Sequence, residues 1–367
     1  MTLANEREGG ARRALVMAGG TGGHIFPGLA VAHALRERGW TVCWLGGRGT
    51  ASSPSMESQL VPQNGFAFEA LDFSGVRGKG LLTLAWLPLR LLRAFWQSIQ
   101  VVHRIRPHVL VGLGGYITFP AGMMGVLLGR PLVLHEQNSV AGMANRVLAG
   151  VADRVFTAFP EVLRKARWVG NPLRAAFMGQ PGPQQRFEGR SGPLKLLVVG
   201  GSLGARVLND TVPQALALMP VEQRPIVLHQ SGARQIDALR HSYSAVDVQA
   251  ELTPFIDDTA QAFADADLVI CRAGASTVTE LAAIGAAAVL VPLPSAVDDH
   301  QTRNARFLAD CGAAWLLPQA ELTPQRLAQM ISQTTRGALL ACALQAKQLE
   351  KTGATGEMVA ACEELAR

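Results

Sequence analysis

The sequence predicts an α/β protein of two similar domains facing each other across a cleft, on three observations. Leu15-Val16-Met17-Ala18 is an apolar run of buried-strand length; Gly19-Gly20-Thr21-Gly22-Gly23 follows at once, then Leu29, Val31, Ala32 and Leu35 at helical spacing. The unit recurs after Lys195, with Gly200, Gly201 and Gly204 followed by a helix through Val207, Leu208, Val212 and Leu216. The 367 residues suit two domains better than one. Strand, glycine turn and helix in that order make an anion site. Glycine lets the backbone approach a ligand, and the helix start offers unpaired N–H groups and a partial positive charge. His24 ends the first turn, where its ring can meet that ligand.

Composition narrows the function classes. Residues 1–170 hold 18 Lys/Arg against 9 Asp/Glu, and residues 171–367 hold 16 against 19, so the halves carry +9 and −3. The first half therefore faces something anionic, a phosphate ligand or a membrane surface. Nucleic acid is disfavoured, because the chain has only two tyrosines and no basic–aromatic repeat. Five scattered cysteines without a CxxC pair read as buried residues in a reducing compartment. Residues 1–13 read as a loose charged tail rather than a signal peptide.

The elements follow in order. Residues 41–45 form the second strand, ending at Gly46-Gly47 without the acidic residue a dinucleotide site uses for its ribose, which counts against NAD. Residues 48–64 are polar and read as a surface loop. In residues 75–96, Leu82, Trp86, Leu91, Leu92 and Trp96 exceed what one core-facing stripe needs, and Arg77, Lys79, Arg90 and Arg93 flank them. That pattern suits an amphipathic segment lying on an anionic membrane surface. Residues 109–129 carry no charge, but their glycines and Pro120 favour a strand, a turn and a helix over a membrane span. The strand Leu132-Val133-Leu134 leads into His135, Glu136 and Asn138, placing all three on the rim that carries His24, since parallel sheets bind ligands beyond their C-terminal strand ends. Residues 169–174 are the crossover, and residues 179–192 read as a loop. Strands follow at 226–229, 266–271 and 289–294, and a last amphipathic helix carries Met358, Val359, Cys362 and Leu365. After Cys271, Ser276 or Thr277 is a candidate N-cap with Glu280 in the first turn, either completing a capping box or accepting from ribose hydroxyls. Asp265-Ala266-Asp267 matches a metal-binding DxD but precedes a strand, at the wrong end for the cleft, and no cluster has zinc spacing.

Six motifs occur in order: Gly19 to His24 with Phe26-Pro27-Gly28; Gly112-Leu113-Gly114-Gly115-Tyr116; His135 to Asn138; Gly170-Asn171-Pro172; Gly200-Gly201-Ser202-Leu203-Gly204-Ala205; and Cys271 to Glu280. Together they resemble the bacterial undecaprenyldiphospho-muramoylpentapeptide β-N-acetylglucosaminyltransferases over residues 14–365. The resemblance implies a GT-B fold, with residues 1–172 and a returning helix near 353–367 as a Rossmann-like acceptor domain, and residues 173–352 as the UDP-sugar donor domain. It implies UDP-N-acetylglucosamine as donor, lipid I as acceptor, no cofactor and no metal. It also implies a peripheral place on the cytoplasmic face of the inner membrane, with cell-division and cell-wall synthesis proteins as partners. By the family pattern Thr21, Gly22, Gly23 and Asn138 reach the donor from the first domain. Arg174, Ser202, Ile256, Ala275, Ser276, Thr277, Val278, Thr279, Glu280 and Gln301 hold it from the second. Gly19, Gly20, Gly114, Gly115 and Tyr116 take the acceptor diphosphate, and Arg77, Lys79, Leu82, Trp86 and Trp96 meet the membrane. The chain departs from the pattern at Leu203 and His300, where the family usually has Gln.

An inverting transfer needs a base for the acceptor hydroxyl. His24 is the first candidate, because an imidazole titrates near neutrality, and Glu136 the second. A UDP-N-acetylglucosamine 2-epimerase, a nicotinamide dehydrogenase and a non-catalytic nucleotide sensor are the rival readings.

Overall fold

The computed structural model describes residues 11–50, 53–73, 86–201 and 204–366. Among the described residues the strands build two parallel sheets and one short hairpin. The first sheet is ordered β5-β2-β1-β6-β7-β8-β9, from β1 (Arg13–Met17), β2 (Thr41–Gly47), β5 (Ala67–Leu71), β6 (Val109–Gly112), β7 (Leu132–Glu136), β8 (Arg154–Thr157) and β9 (Arg167–Trp168). The second is ordered β12-β11-β10-β13-β14-β15, from β10 (Lys195–Val199), β11 (Ile226–Gln230), β12 (Glu251–Thr253), β13 (Leu268–Cys271), β14 (Ala288–Leu290) and β15 (Trp315–Leu316). In both, the strand that feeds the glycine turn lies between an earlier and a later crossover, where a doubly wound sheet opens its ligand crevice.

The central strands are apolar throughout because helices cover both faces. On β1, Ala14 and Val16 face the core shared with Ile25, Leu35 and Trp44, while Leu15 and Met17 face Leu110, Ile117 and Leu134. On β10, Leu196 and Val198 join Leu208 and Val212, and Leu197 joins Phe263 and Val278. The last helix, Ala354–Leu365, buries Ala354, Met358, Val359 and Cys362 in the first sheet's core, not the second's. Its outer face carries Glu357, Glu363 and Glu364, which pair with Arg167, Arg38 and Arg154.

Two stretches read as loops from sequence contain helices. Residues 48–64 hold the hairpin β3 (Gly49–Thr50) and β4 (Ser53–Pro54), then the helix Met56–Gln63. Ser55 caps that helix by accepting from the Ser58 N–H at 3.1 Å. Its polar residues hid a face on which Val61 and Glu57 are both fully buried. Residues 179–192 contain the helix Pro183–Phe187, whose Arg186 is buried and donates to the carbonyls of Ala264 and Ile284. That guanidinium takes up buried carbonyls in the last turns of the helices Thr259–Asp265 and Ala275–Ile284, a task invisible in a Gly/Pro/Gln-rich tract. Residues 109–129 resolve into β6 and the helix Thr118–Leu127, and no described helix is long and apolar enough to cross a membrane.

Candidate active site

The C-terminal ends of the two sheets face each other. Asn304, fully buried on the helix His300–Ala309, accepts from the Ser139 N–H at 2.9 Å and the Ser139 hydroxyl at 2.7 Å. Its amide donates to Asn138 Oδ1 at 3.4 Å and to the Ala273 carbonyl at 3.2 Å. Asn171 donates to Thr279 Oγ1 at 3.2 Å. These contacts bring the strand ends that carry Asn138 and residues 275–280 to a single seam.

On the first sheet, Thr21 is the N-cap of the helix Gly22–Glu37, which places Gly22 and Gly23 at a helix start whose N–H groups lack intrahelical partners. Helix 22–37 and helix 275–284 touch across the seam. His24 is half-buried. Its Nδ1 lies 3.3 Å from Thr21 Oγ1, and a Cβ on Gly114 would lie 3.0 Å from its Nε2. Burial holds the imidazole below its ordinary 6.5, with His300 acting in the same direction against Glu136 and Glu57. His24 is therefore neutral near pH 7 and can accept a proton.

Glu136 is buried and saturated. One oxygen accepts from the Asn138 N–H (2.9 Å) and amide (3.4 Å), the other from the Gly142 N–H (3.1 Å) and Asn145 amide (2.9 Å). It shapes the 136–142 turn and sets Asn138, and a carboxylate accepting four bonds is poorly placed to take a substrate proton. His135 is off the rim. It is fully buried, donates from Nε2 to the Gly170 carbonyl at 2.8 Å and is pushed down to about 4 by burial, so it braces the crossover as a neutral ring. Gly114 and Gly115 form the second glycine turn at φ +90° and +84°, with Tyr116 beside them, its phenol raised by burial and by Glu57. Gly19 is buried, and the Gly20 N–H is taken by Glu57 Oε1 at 3.3 Å, so that donor points away from the cleft.

On the second sheet the helix Ala275–Ile284 is capped by Gly274, with no side-chain cap bond. Neither Ser276 nor Thr277 caps it, and Glu280 completes no capping box. Thr279 instead donates back to the Ala275 carbonyl at 3.0 Å, and Ser276 Oγ is buried without a partner. Val278 packs in the core. Glu280 is 16% exposed, 3.8 Å from the Arg174 guanidinium, and burial pushes it up to about 7 despite that cation. Arg174 also lies 5.9 Å over the Phe26 ring of the first domain and 4.9 Å over Phe177. Ile256 is half-buried, and Gln301 accepts from the Leu293 N–H at 2.9 Å. Ser202, Leu203, Arg77, Lys79 and Leu82 lie outside the described residues.

Two helix-face residues, Glu57 and Asn304, join the site although the sequence reading left them out. Away from the seam, Trp86, Leu89, Leu92 and Trp96 are 58–63% exposed at the start of the helix Leu87–Ile105. That is a contiguous apolar patch, interrupted by Arg90 and by Arg93, which pairs with Asp72 at 2.7 Å.

Two family descriptions match the chain: the glycosyltransferase family 28 N-terminal domain at residues 14–157 and the C-terminal domain at residues 195–356. The chain belongs to glycosyltransferase family 28. Its fold is GT-B, and it is 38% identical to the crystal structure of Acinetobacter baumannii MurG, with a TM-score of 0.83 over 96% of this chain and 99% of that one. A relative from Polaromonas sp. (strain JS666) is 75% identical over 98% of this chain and 92% of its own length. It is named UDP-N-acetylglucosamine--N-acetylmuramyl-(pentapeptide) pyrophosphoryl-undecaprenol N-acetylglucosamine transferase. A Cupriavidus necator protein of the same name is 59% identical over 98% of this chain and 99% of its own.

Proposed function

We propose that this family 28 enzyme transfers N-acetylglucosamine from UDP-N-acetylglucosamine to the 4-hydroxyl of the N-acetylmuramic acid of lipid I, giving lipid II for the cell wall. The observation that carries this is the full-length identity to transferases named for that reaction, joined to a site with a neutral imidazole on one rim and an anion-binding helix start on the other. Residues 1–172 with the helix at 353–367 form the acceptor side, and residues 173–352 the donor side.

The donor's uridine lies along Ile256 and Glu280, with the Glu280 carboxyl accepting from ribose hydroxyls and Arg174 beside it. The diphosphate sits at the start of helix 275–284, near Ser276 and Thr277, where unpaired N–H groups meet its charge. Thr21, Gly22, Gly23, Asn138 and Gln301 close on the donor from around the seam. The acceptor diphosphate lies along Gly114, Gly115 and Tyr116. In the reaction the acceptor oxygen attacks the anomeric carbon, the bond to the β-phosphate oxygen breaks with its electron pair going to UDP, and His24 takes the hydroxyl proton. The configuration inverts. The patch of Trp86, Leu89, Leu92 and Trp96 rests on an anionic membrane at the cytoplasmic face, bringing the cleft to a lipid-borne acceptor. The test is release of UDP with and without a short-chain lipid I analogue; release that ignores the acceptor would sink the transferase reading.

A further inference from the structure

Gln230 ends β11, the strand between β10 and β12, and is 3% exposed. It pairs in register with Val199 and Thr253, the last residues of those two neighbours. The glycine turn begins at Gly200 after β10, and a second turn begins at Pro254 after β12. The Gln230 amide spans them. Its Nε2 donates to the Gly201 carbonyl at 3.1 Å and to the Pro254 carbonyl at 3.0 Å. The two hydrogens of one amide thus go to two separate turns, and Oε1 is left buried without a partner. The flipped amide would set that oxygen against two carbonyl oxygens, so the acceptors fix the orientation. Each turn also has bonds of its own. The Gly201 carbonyl accepts from the Gly204 N–H at 2.9 Å, and the Phe255 and Ile256 carbonyls accept from Thr253 Oγ1 at 2.6 Å and Thr259 Oγ1 at 3.3 Å. Of these donors Gln230 alone reaches both turns.

We propose that Gln230 is a positioning residue for the donor: it ties the glycine turn to the 254–256 turn, so that both are ordered before the nucleotide arrives. The strand order β12-β11-β10-β13 sets the turn of Ile256, the glycine turn and the start of helix 275–284 in one row along the rim. A ligand that meets separate loose turns must order each of them and loses affinity to that cost. A buried amide shared by two turns removes much of the cost in advance, and it does so from a strand end that touches neither sugar nor phosphate. The inference rests on the placing of the donor along Ile256 and the helix start proposed above.

The experiment loosens one turn and reads the other. Thr253→Val frees the Phe255 carbonyl and leaves Gln230 and the glycine turn untouched. Hydrogen exchange is followed by mass spectrometry on the full-length protein, over peptides covering residues 199–208 and 250–258. In Thr253→Val, exchange speeds up at both turns by about threefold, because Gln230 carries the loosening across. In Gln230→Met, a side chain of similar length without a donor, exchange rises at both turns, and adding Thr253→Val no longer changes the glycine turn. UDP affinity by calorimetry falls about 10-fold in Gln230→Met and the donor KM rises in step, the scale of a lost buried hydrogen bond. Its kcat stays within about twofold, since His24 and the acceptor glycines belong to the first sheet. A merely destabilised fold would instead lower the active fraction, and so kcat, with KM unmoved. If Gln230→Met does not fold, the glycine turn in Thr253→Val decides. An unmoved glycine turn in Thr253→Val, or wild-type UDP affinity in folded Gln230→Met, overturns the proposal. If UDP slows exchange at neither turn of the wild type, the donor placement fails and takes the proposal with it, whatever Thr253→Val shows.

Discussion

Glu280→Gln should make the free protein more stable at pH 8 while weakening its grip on the donor. The wild-type carboxyl has an ordinary value of 4.5 and is pushed up to about 7 by burial, with Arg174 opposing. The unfolded chain releases this proton near 4.5 and the folded chain holds it until about 7. Stability is therefore undiminished below 4.5, falls as pH rises from 4.5 to 7, and stays at the lower level above that. Moving the value from 4.5 to about 7 corresponds to about 3 kcal/mol at 1.36 kcal/mol per pH unit. The side chain keeps 16% of its exposure, so roughly 1–3 kcal/mol is the working figure. Glutamine cannot ionise and escapes this penalty. Urea unfolding at pH 5 and pH 8 should show the variant near wild type at pH 5 and about 1–3 kcal/mol more stable at pH 8, with a melting shift of about 2–4 °C per kcal/mol. Calorimetry with UDP at pH 8 should show weaker binding by about 10-fold, since a charged acceptor has become a neutral one. An equal stability change at both pH values would refute the reasoning, because burial of an ionised carboxylate would then not be the cost that donor recognition carries.

Other outcomes follow from the same geometry. His24→Ala should lower turnover by about 10²-fold or more with UDP affinity nearly unchanged, and the acid limb of wild-type kcat/KM should lie below pH 6.5, since burial depresses that imidazole. Leu92→Ser with Trp96→Ser should leave the fold intact, both residues being over 60% exposed, yet cut binding to anionic vesicles by at least about tenfold in a flotation assay. Turnover of a water-soluble acceptor analogue should not change in that variant. Gly28→Ala places a Cβ 2.4 Å from Trp44 Cη2, where helix 22–37 packs on β2, and should cost about 1–3 kcal/mol in urea unfolding through overpacking.

The sheets and their glycine turns were legible in the sequence because β1 and β10 are covered on both faces and so are apolar throughout. The turns were legible because backbone approach leaves glycine as its mark. Glu57 escaped notice because a carboxylate in a polar stretch looks solvated; only the fold brings β1, β2 and helix 56–63 together around it. The apolar residues Met56, Leu60 and Val61 at helical spacing after Ser55 were the available signal. Asn304 was hidden in the same way, since its partners lie 165 and 166 positions away and no local pattern encodes a seam between domains. His135 was misplaced because it lies inside β7 rather than beyond its end, and alternation alone does not say which of the strand's last polar residues turns inward; the Gly170 carbonyl at the crossover decides that. Gly274 displaced Ser276 and Thr277 as N-cap because the helix begins at Ala275, two residues earlier than a Ser276 cap requires and three earlier than a Thr277 cap.

The most direct test of the account is UDP release from UDP-N-acetylglucosamine, measured in the presence of EDTA with and without a short-chain lipid I analogue. The account predicts release that depends on the acceptor, persists in EDTA and falls away in His24→Ala. Release without acceptor would contradict it and point to an epimerase or hydrolase, and UDP binding with no release in either condition, on anionic vesicles as well as in solution, would point to a sensor.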